Sequence, residues 1–249
     1  MAQLRPRPVY PDDAVHRIVR WFRSAGLSVT MSAAIFFTVP IDRKPPDFSD
    51  AAVRMEMDRV TPSWQGAMAR HDAQTRSDFS GFPLDAIDFW AKGKSLAAAP
   101  RSLEMLAALN AHFNTVTYTG SPSRAQLSDE WETPLEFISD GGDCEDYVIA
   151  KFLALREAGW PWKNRRIVVG EIEGGGHHAV LVVRLTETAP WYMLDNRTDK
   201  VVPVGAVADF IPFFGMSARS TWIYKRDWKA PVTGDSEQSN RISPAITDS

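Results

Sequence analysis

The apolar period of this 249-residue chain changes once, and the change limits what it can fold into. Val148, Ile149, Phe152, Leu153 and Leu155 recur at helical spacing, and Gly159 closes that segment. From residue 166 onward alternation takes over. Residues 166–173 and 177–185 read as two strands joined through Gly174-Gly175-Gly176, which supplies the positive φ of a tight reversal. Further strands are expected at 191–194, at 201–204 and at 220–224. N-terminal helices followed by an antiparallel sheet make an α+β layout.

The helical half has its own punctuation. Pro100 precedes an amphipathic helix with Leu103, Leu106, Ala107, Asn110 and Phe113 along one face, and His112, off that stripe, reads as a solvated surface residue. Thr133-Pro134 pairs a good N-cap with proline at the first helical position, opening a short helix through Phe137 and Ile138. Trp131 just before it reads as a core or rim aromatic, with a place in a substrate groove as the alternative. Residues 51–60 read as a short helix.

Three regions follow from composition: an N-terminal signal- or anchor-like segment with a linker (1–50), a folded domain (51–228) and a disordered tail (229–249). Arg5, Arg7, Arg17, Arg20 and Arg23 precede an uncharged stretch, 24–41, and Pro45-Pro46 marks the linker. The uncharged stretch is short and Ser/Thr-interrupted against the ~20 apolar residues of a spanning helix. The pattern predicts export to the periplasm or an N-terminal membrane anchor, although no small-x-small cleavage site follows it. A net charge of -3 and a pI near 6.0 give no electrostatic basis for a nucleic-acid partner. A single cysteine excludes an internal disulfide framework and Cys-rich zinc sites.

That cysteine lies in Asp140-Gly141-Gly142-Asp143-Cys144-Glu145-Asp146-Tyr147. Asp143 occupies an N-cap position with Asp146 three residues on, so Cys144 falls at the first position of a helix, where the amide dipoles favour a thiolate. Asp143, Glu145 and Asp146 oppose that ionisation, which calls for a cation such as Ca²⁺ or a neighbouring imidazolium. A histidine is available on the return strand, where His177 and His178 point to opposite faces and only one can serve. Asp195, at the end of the next strand, can orient an imidazole. Cys144, one histidine and Asp195 would then attack a carbonyl, protonate the leaving amine and fix the tautomer.

Gly142-Asp143-Cys144-Glu145-Asp146-Tyr147, His178-Ala179-Val180-Leu181 and Leu194-Asp195-Asn196 together resemble the bacterial transglutaminase-like cysteine proteinases of the LapG type. The resemblance runs from about Arg70 to Lys225 and includes the helix of Asn110, Phe113 and Asn114 and the lead-in of Trp131, Thr133, Pro134, Glu136 and Phe137. It implies a papain-like, transglutaminase-like cysteine protease fold, with Cys144 as nucleophile, His178 as general base and acid, and Asp195 as its orienter. It also implies a Ca²⁺ cofactor held by Asp143 and Glu145; Asp146, the third acid of the cluster, is a further candidate ligand beside them. The family's substrate is a large repeat-containing surface adhesin whose release disperses biofilm, and its regulator is an inner-membrane receptor for cyclic diguanylate. This chain departs from the pattern in its unclean export signal and in its glycine-rich hairpin. A transglutaminase-type acyl transferase or peptidoglycan amidase on the same fold, and a non-catalytic calcium-responsive module, are the alternatives.

Overall fold

The computed structural model describes residues 52–56, 62–119, 131–173, 176–217 and 220–224. The expected boundaries near residues 50 and 229, and the hairpin glycines Gly174 and Gly175, lie outside the described residues. Five α-helices lie among the described residues: α1 (Pro62–Arg76), α2 (Leu84–Ala97), α3 (Leu103–Phe113), α4 (Pro134–Asp140) and α5 (Cys144–Glu157). Seven strands follow or flank them: β1 (Ala52–Glu56), β2 (Arg165–Ile172), β3 (Gly176–Val183), β4 (Tyr192–Asp195), β5 (Thr198–Pro203), β6 (Phe210–Met216) and β7 (Ser220–Tyr224). They form one sheet in the order β1-β7-β6-β2-β3-β4-β5, antiparallel at every pairing. No helix among the described residues is long and apolar enough to cross a membrane.

Helix α5 is the centre of the domain. Its residues from Asp146 through Leu155 are all buried, because α2, α3 and α4 cover one side and β2 and β3 the other. Leu153 and Phe152 of α5 share a cluster with Phe113, Phe137, Leu181 and Val183. A second apolar cluster contains Val168, Val180, Val182, Met193 and Trp222.

Two local expectations change, and two elements, α1 and β6, go beyond those the sequence signalled. Residues 52–56 form an edge strand on β7 rather than a helix; the open edge of β7 takes them up, and pairing overrides their helix propensity. The buried stripe of α3 is Met105, Leu106, Leu109, Asn110 and Phe113, with Leu103 exposed, because this helix packs between α2 and β5 and its face is rotated accordingly. Helix α1 buries only Trp64, Ala67 and His71, a pattern too sparse and polar to signal itself.

Strand β6 is hidden by Pro212, which has no N–H to donate and normally argues against a central strand. The pairing explains it. Val169 pairs with Phe214 and Gly170 with Pro212, so Phe213 is the extra residue of a bulge that accommodates the proline. Gly170 also pairs with His178 across β3. A Cβ on Gly170 would press into the Ile211 carbonyl oxygen and the Phe210 ring, which closes the position to side chains. Gly170→Ala is expected to lower stability by about 1–3 kcal/mol, as overpacking does. Urea denaturation of the purified domain measures it.

Candidate active site

The approach to Cys144 is fixed by hydrogen bonds that the local sequence dictates. Thr133 and Glu136 cap α4 reciprocally: Thr133 N–H donates to Glu136 Oε2 at 2.8 Å and Glu136 N–H to Thr133 Oγ1 at 3.4 Å. The chain then turns at Gly141, whose φ is 76°, and at Gly142, whose carbonyl accepts from Thr119 N–H at 3.1 Å. A Cβ on either glycine would collide, with Thr117 O and Thr119 at Gly141 and with Asp146 and Phe137 at Gly142. The capping box expected from the sequence starts α5. Glu145 N–H donates to Asp143 Oδ1 at 3.3 Å, and Asp143 N–H donates to Asp146 Oδ2 at 3.0 Å.

Cys144 is therefore the first residue of α5, with 8% of its surface exposed. Its thiol donates to Glu145 Oε2 at 2.9 Å, and the Ala179 backbone N–H of β3 donates to its sulfur. Burial pushes the thiol well above its ordinary range, and the charges of Glu145 and Asp143 push it further. Of the opposed influences expected at this position, desolvation and the acids outweigh the helix dipole.

The residue before Ala179 is His178, which has no exposed surface. Its Nε2 lies 2.9 Å from Asp195 Oδ1, and its ring meets Phe210 edge-on at 6.5 Å. His177, its strand neighbour, is only half-buried and packs edge-on against the bulge residue Phe213 at 5.6 Å. The geometry thus separates two histidines that the strand pattern alone leaves equivalent. Asp195 is also held by Arg197, whose backbone N–H reaches Oδ1 and whose Nε reaches Oδ2, both at 2.8 Å, while Nη1 reaches Asp209 at 3.0 Å. Burial alone would raise the Asp195 carboxyl, but His178 and Arg197 reverse this and hold it far below the usual carboxylate range.

The acids around Cys144 divide into two kinds. One ligand atom each from Asp143, Cys144 and Glu145 lie within 4.8 Å of one another. Asp146 turns inward instead. Its Oδ1 accepts from Glu132 N–H at 3.1 Å and its Oδ2 is the cap already described, so its oxygens serve the backbone. Burial raises the Asp146 carboxyl, and the neighbouring charges of Asp143 and Glu132 raise it further. Clustered hard oxygen donors that repel one another are the chemistry a divalent cation relieves, so Asp143 and Glu145 fit a calcium ligand set.

His112 departs from expectation. Its ring stacks on Phe89 with centroids 3.9 Å apart, its Nε2 lies 3.0 Å from Phe89 O, and burial lowers its pKa, so it is a packing residue between α2 and α3. Trp131 lies half-buried with its ring edge-on to Trp64 at 6.2 Å.

Residues 90–224, more than half of the chain, match the family model described as bacterial transglutaminase-like cysteine proteinase BTLCP. The chain belongs to this family. Among solved structures, calcium-bound LapG of Legionella pneumophila shares the fold, with a TM-score of 0.51 at 24% identity over 69% of this chain and 94% of that one. EGTA-treated LapG of the same organism gives a TM-score of 0.48 at 26% identity over 66% of this chain and 86% of that one. No curated protein matches. This transglutaminase-like cysteine proteinase is thus a cysteine peptidase with the α+β fold that its sequence predicts.

Arg197 carries no signal in the sequence beyond its place in a turn, yet it occupies half of the Asp195 carboxylate. Removing one partner of a buried ion pair costs about 3 kcal/mol or more, so Arg197→Ala is expected to destabilise by about that amount at pH 7. The contribution of a carboxyl with a lowered folded-state pKa is present above its unfolded value of about 4 and lost as pH falls below it. The difference between wild type and Arg197→Ala in urea denaturation should accordingly shrink below pH ~4.

Proposed function

We propose that the chain is a calcium-dependent cysteine endopeptidase in which Cys144 is the nucleophile, His178 its general base and acid, and Asp195 the orienter of His178. One observation carries this reading: the sulfur of Cys144, the first residue of α5, meets the backbone N–H of Ala179, the strand neighbour of a buried histidine whose Nε2 is held by Asp195. Asp195 on Nε2 fixes the ring so that Nδ1 is the nitrogen for the thiol. The Cys144 thiolate attacks the scissile carbonyl, the imidazolium protonates the departing amine, and water then releases the acyl group from sulfur. A fully ionised Asp195, secured by Arg197, stabilises the imidazolium throughout.

Asp143 and Glu145 would hold the calcium ion. Bound there, it supplies positive charge that offsets the two acids raising the Cys144 thiol. The substrate of this reading is a large repeat-containing surface adhesin, cut in the periplasm with release of biofilm. Its regulator is an inner-membrane cyclic-diguanylate receptor. The support is the resemblance to LapG-type proteases, a peptidase family that acts on proteins, and the arginine-rich start followed by the uncharged residues 24–41.

Cys144→Ala is expected to reduce cleavage of the adhesin's N-terminal region by about four orders of magnitude or more, with circular dichroism unchanged. Cleavage at the wild-type rate would end the reading, and amine-tagged or cross-linked products in the mass spectrum would replace it with acyl transfer. Chelation with EGTA should bring wild-type cleavage to background, with recovery on adding Ca²⁺ but not Mg²⁺, and Asp143→Ala or Glu145→Ala should abolish that recovery. Indifference to EGTA would remove calcium from the proposal.

A further inference from the structure

About two turns beyond Cys144, α5 carries Lys151, which has no exposed surface. Its Nζ donates to Asn110 Oδ1 and to Asn114 Oδ1, each at 2.7 Å, and lies 5.7 Å from the centre of the Tyr147 ring. The ammonium therefore meets two oxygens and an aromatic face. A buried ammonium is expensive, and an apolar side chain of similar volume would cost the core less. Its retention calls for a role.

That role is visible at the other end of the two amides. Asn110 and Asn114 stand one turn apart at the end of α3. Asn110 Nδ2 donates to Asp195 O at 3.4 Å and to Thr198 O at 2.8 Å. Asn114 Nδ2 donates to Asp195 O at 3.1 Å, to Thr198 O at 3.0 Å and to Asp199 Oδ1 at 3.1 Å. Asp195 and Thr198 pair across the tight turn between β4 and β5. An asparagine amide has an acceptor at one end and donors at the other. With an obligate donor fixed at both oxygens, both NH₂ groups have one orientation left, toward the turn.

We propose that Lys151 is a positioning residue for Asp195: it fixes the Asn110 and Asn114 amides, and through them the main chain from which the Asp195 carboxylate reaches His178. The proposal rests on the Cys144, His178 and Asp195 reading of the site. The charged groups that face Lys151 are Asp195 and Asp199 of the β4–β5 turn, and Asp195 is itself shared with His178 and Arg197. Burial brings Lys151 down to about 7 while these two acids work against the fall, so the ammonium is the prevailing form in mildly acidic solution.

The test is the low-field imidazole N–H resonance of the His178–Asp195 hydrogen bond in proton NMR at pH ~6, below the Lys151 midpoint, with His178→Gln for assignment. It is recorded in full-length Cys144→Ala protein, so the result is independent of whether the chain cleaves anything. Lys151→Met is expected to lose this resonance to exchange with water while its methyl spectrum stays native. A folded Lys151→Met protein that keeps the resonance overturns the proposal. Should Lys151→Met fail to fold, Asn110→Ser and Asn114→Ser decide: each leaves Lys151 in place but cuts one link to the turn. Loss or broadening of the resonance in both supports the proposal, and an unchanged resonance in both overturns it.

Discussion

Burial of α5 from nearly every side is the constraint on which the rest of the structure depends. Such a helix cannot leave its first N–H groups to water, so they must be capped from within the protein. Asp143 and Asp146 do this reciprocally. Asp143 and Asp146 are thus in the first place a condition for starting a helix inside a core. The same logic applies further along. Where α5 passes α3 it carries a lysine, and α3 answers with two asparagines whose far ends reach the β4–β5 turn. The buried helix thus reaches the site twice, through its capped N-terminus and, from mid-helix, through a polar relay.

The electrostatics of the two halves of the site run in opposite directions. A helix N-terminus offers a surface charge about 0.3–1 kcal/mol, whereas full burial can shift an ionisable group by about 3–5 pKa units, each worth about 1.4 kcal/mol. At Cys144 burial and like charges win, and the thiol holds its proton. At Asp195 burial is overcome, because the Arg197 guanidinium on Oδ2 and the His178 imidazole on Oδ1 supply compensation that a dipole cannot. One half of the site is assembled and ionised by the fold alone; the other carries excess negative charge.

What the sequence made legible was local. The capping boxes at Thr133 and Asp143, the glycine turn into Cys144, the β2–β3 hairpin and the position of β7 all depend on residues a few places apart. What it hid was non-local. β6 contains a proline that only a bulge opposite Gly170 can place in a sheet, and residues 52–56 become a strand only because β7 leaves an edge open. His112 looked solvated on its own helix, since Phe89 arrives from another. Strand alternation left His177 and His178 equal; the resemblance pointed to His178, and it is His178 that meets Asp195 of β4. Lys151 gave no signal, because a buried amine is defined by partners elsewhere in the chain, and Arg197 gave none, because an arginine in a turn ordinarily points to solvent.

The enclosure of Cys144 has a further consequence, for redox chemistry. Peroxides and disulfides react with a thiolate rather than a thiol, and they need a path to the sulfur. With its proton bonded to Glu145, Cys144 fails the first condition, and its small exposed surface narrows the second. With no second cysteine in the chain, disulfide formation would require a thiol from another molecule. The carboxylates that hold back ionisation of the thiol also shelter it from oxidation.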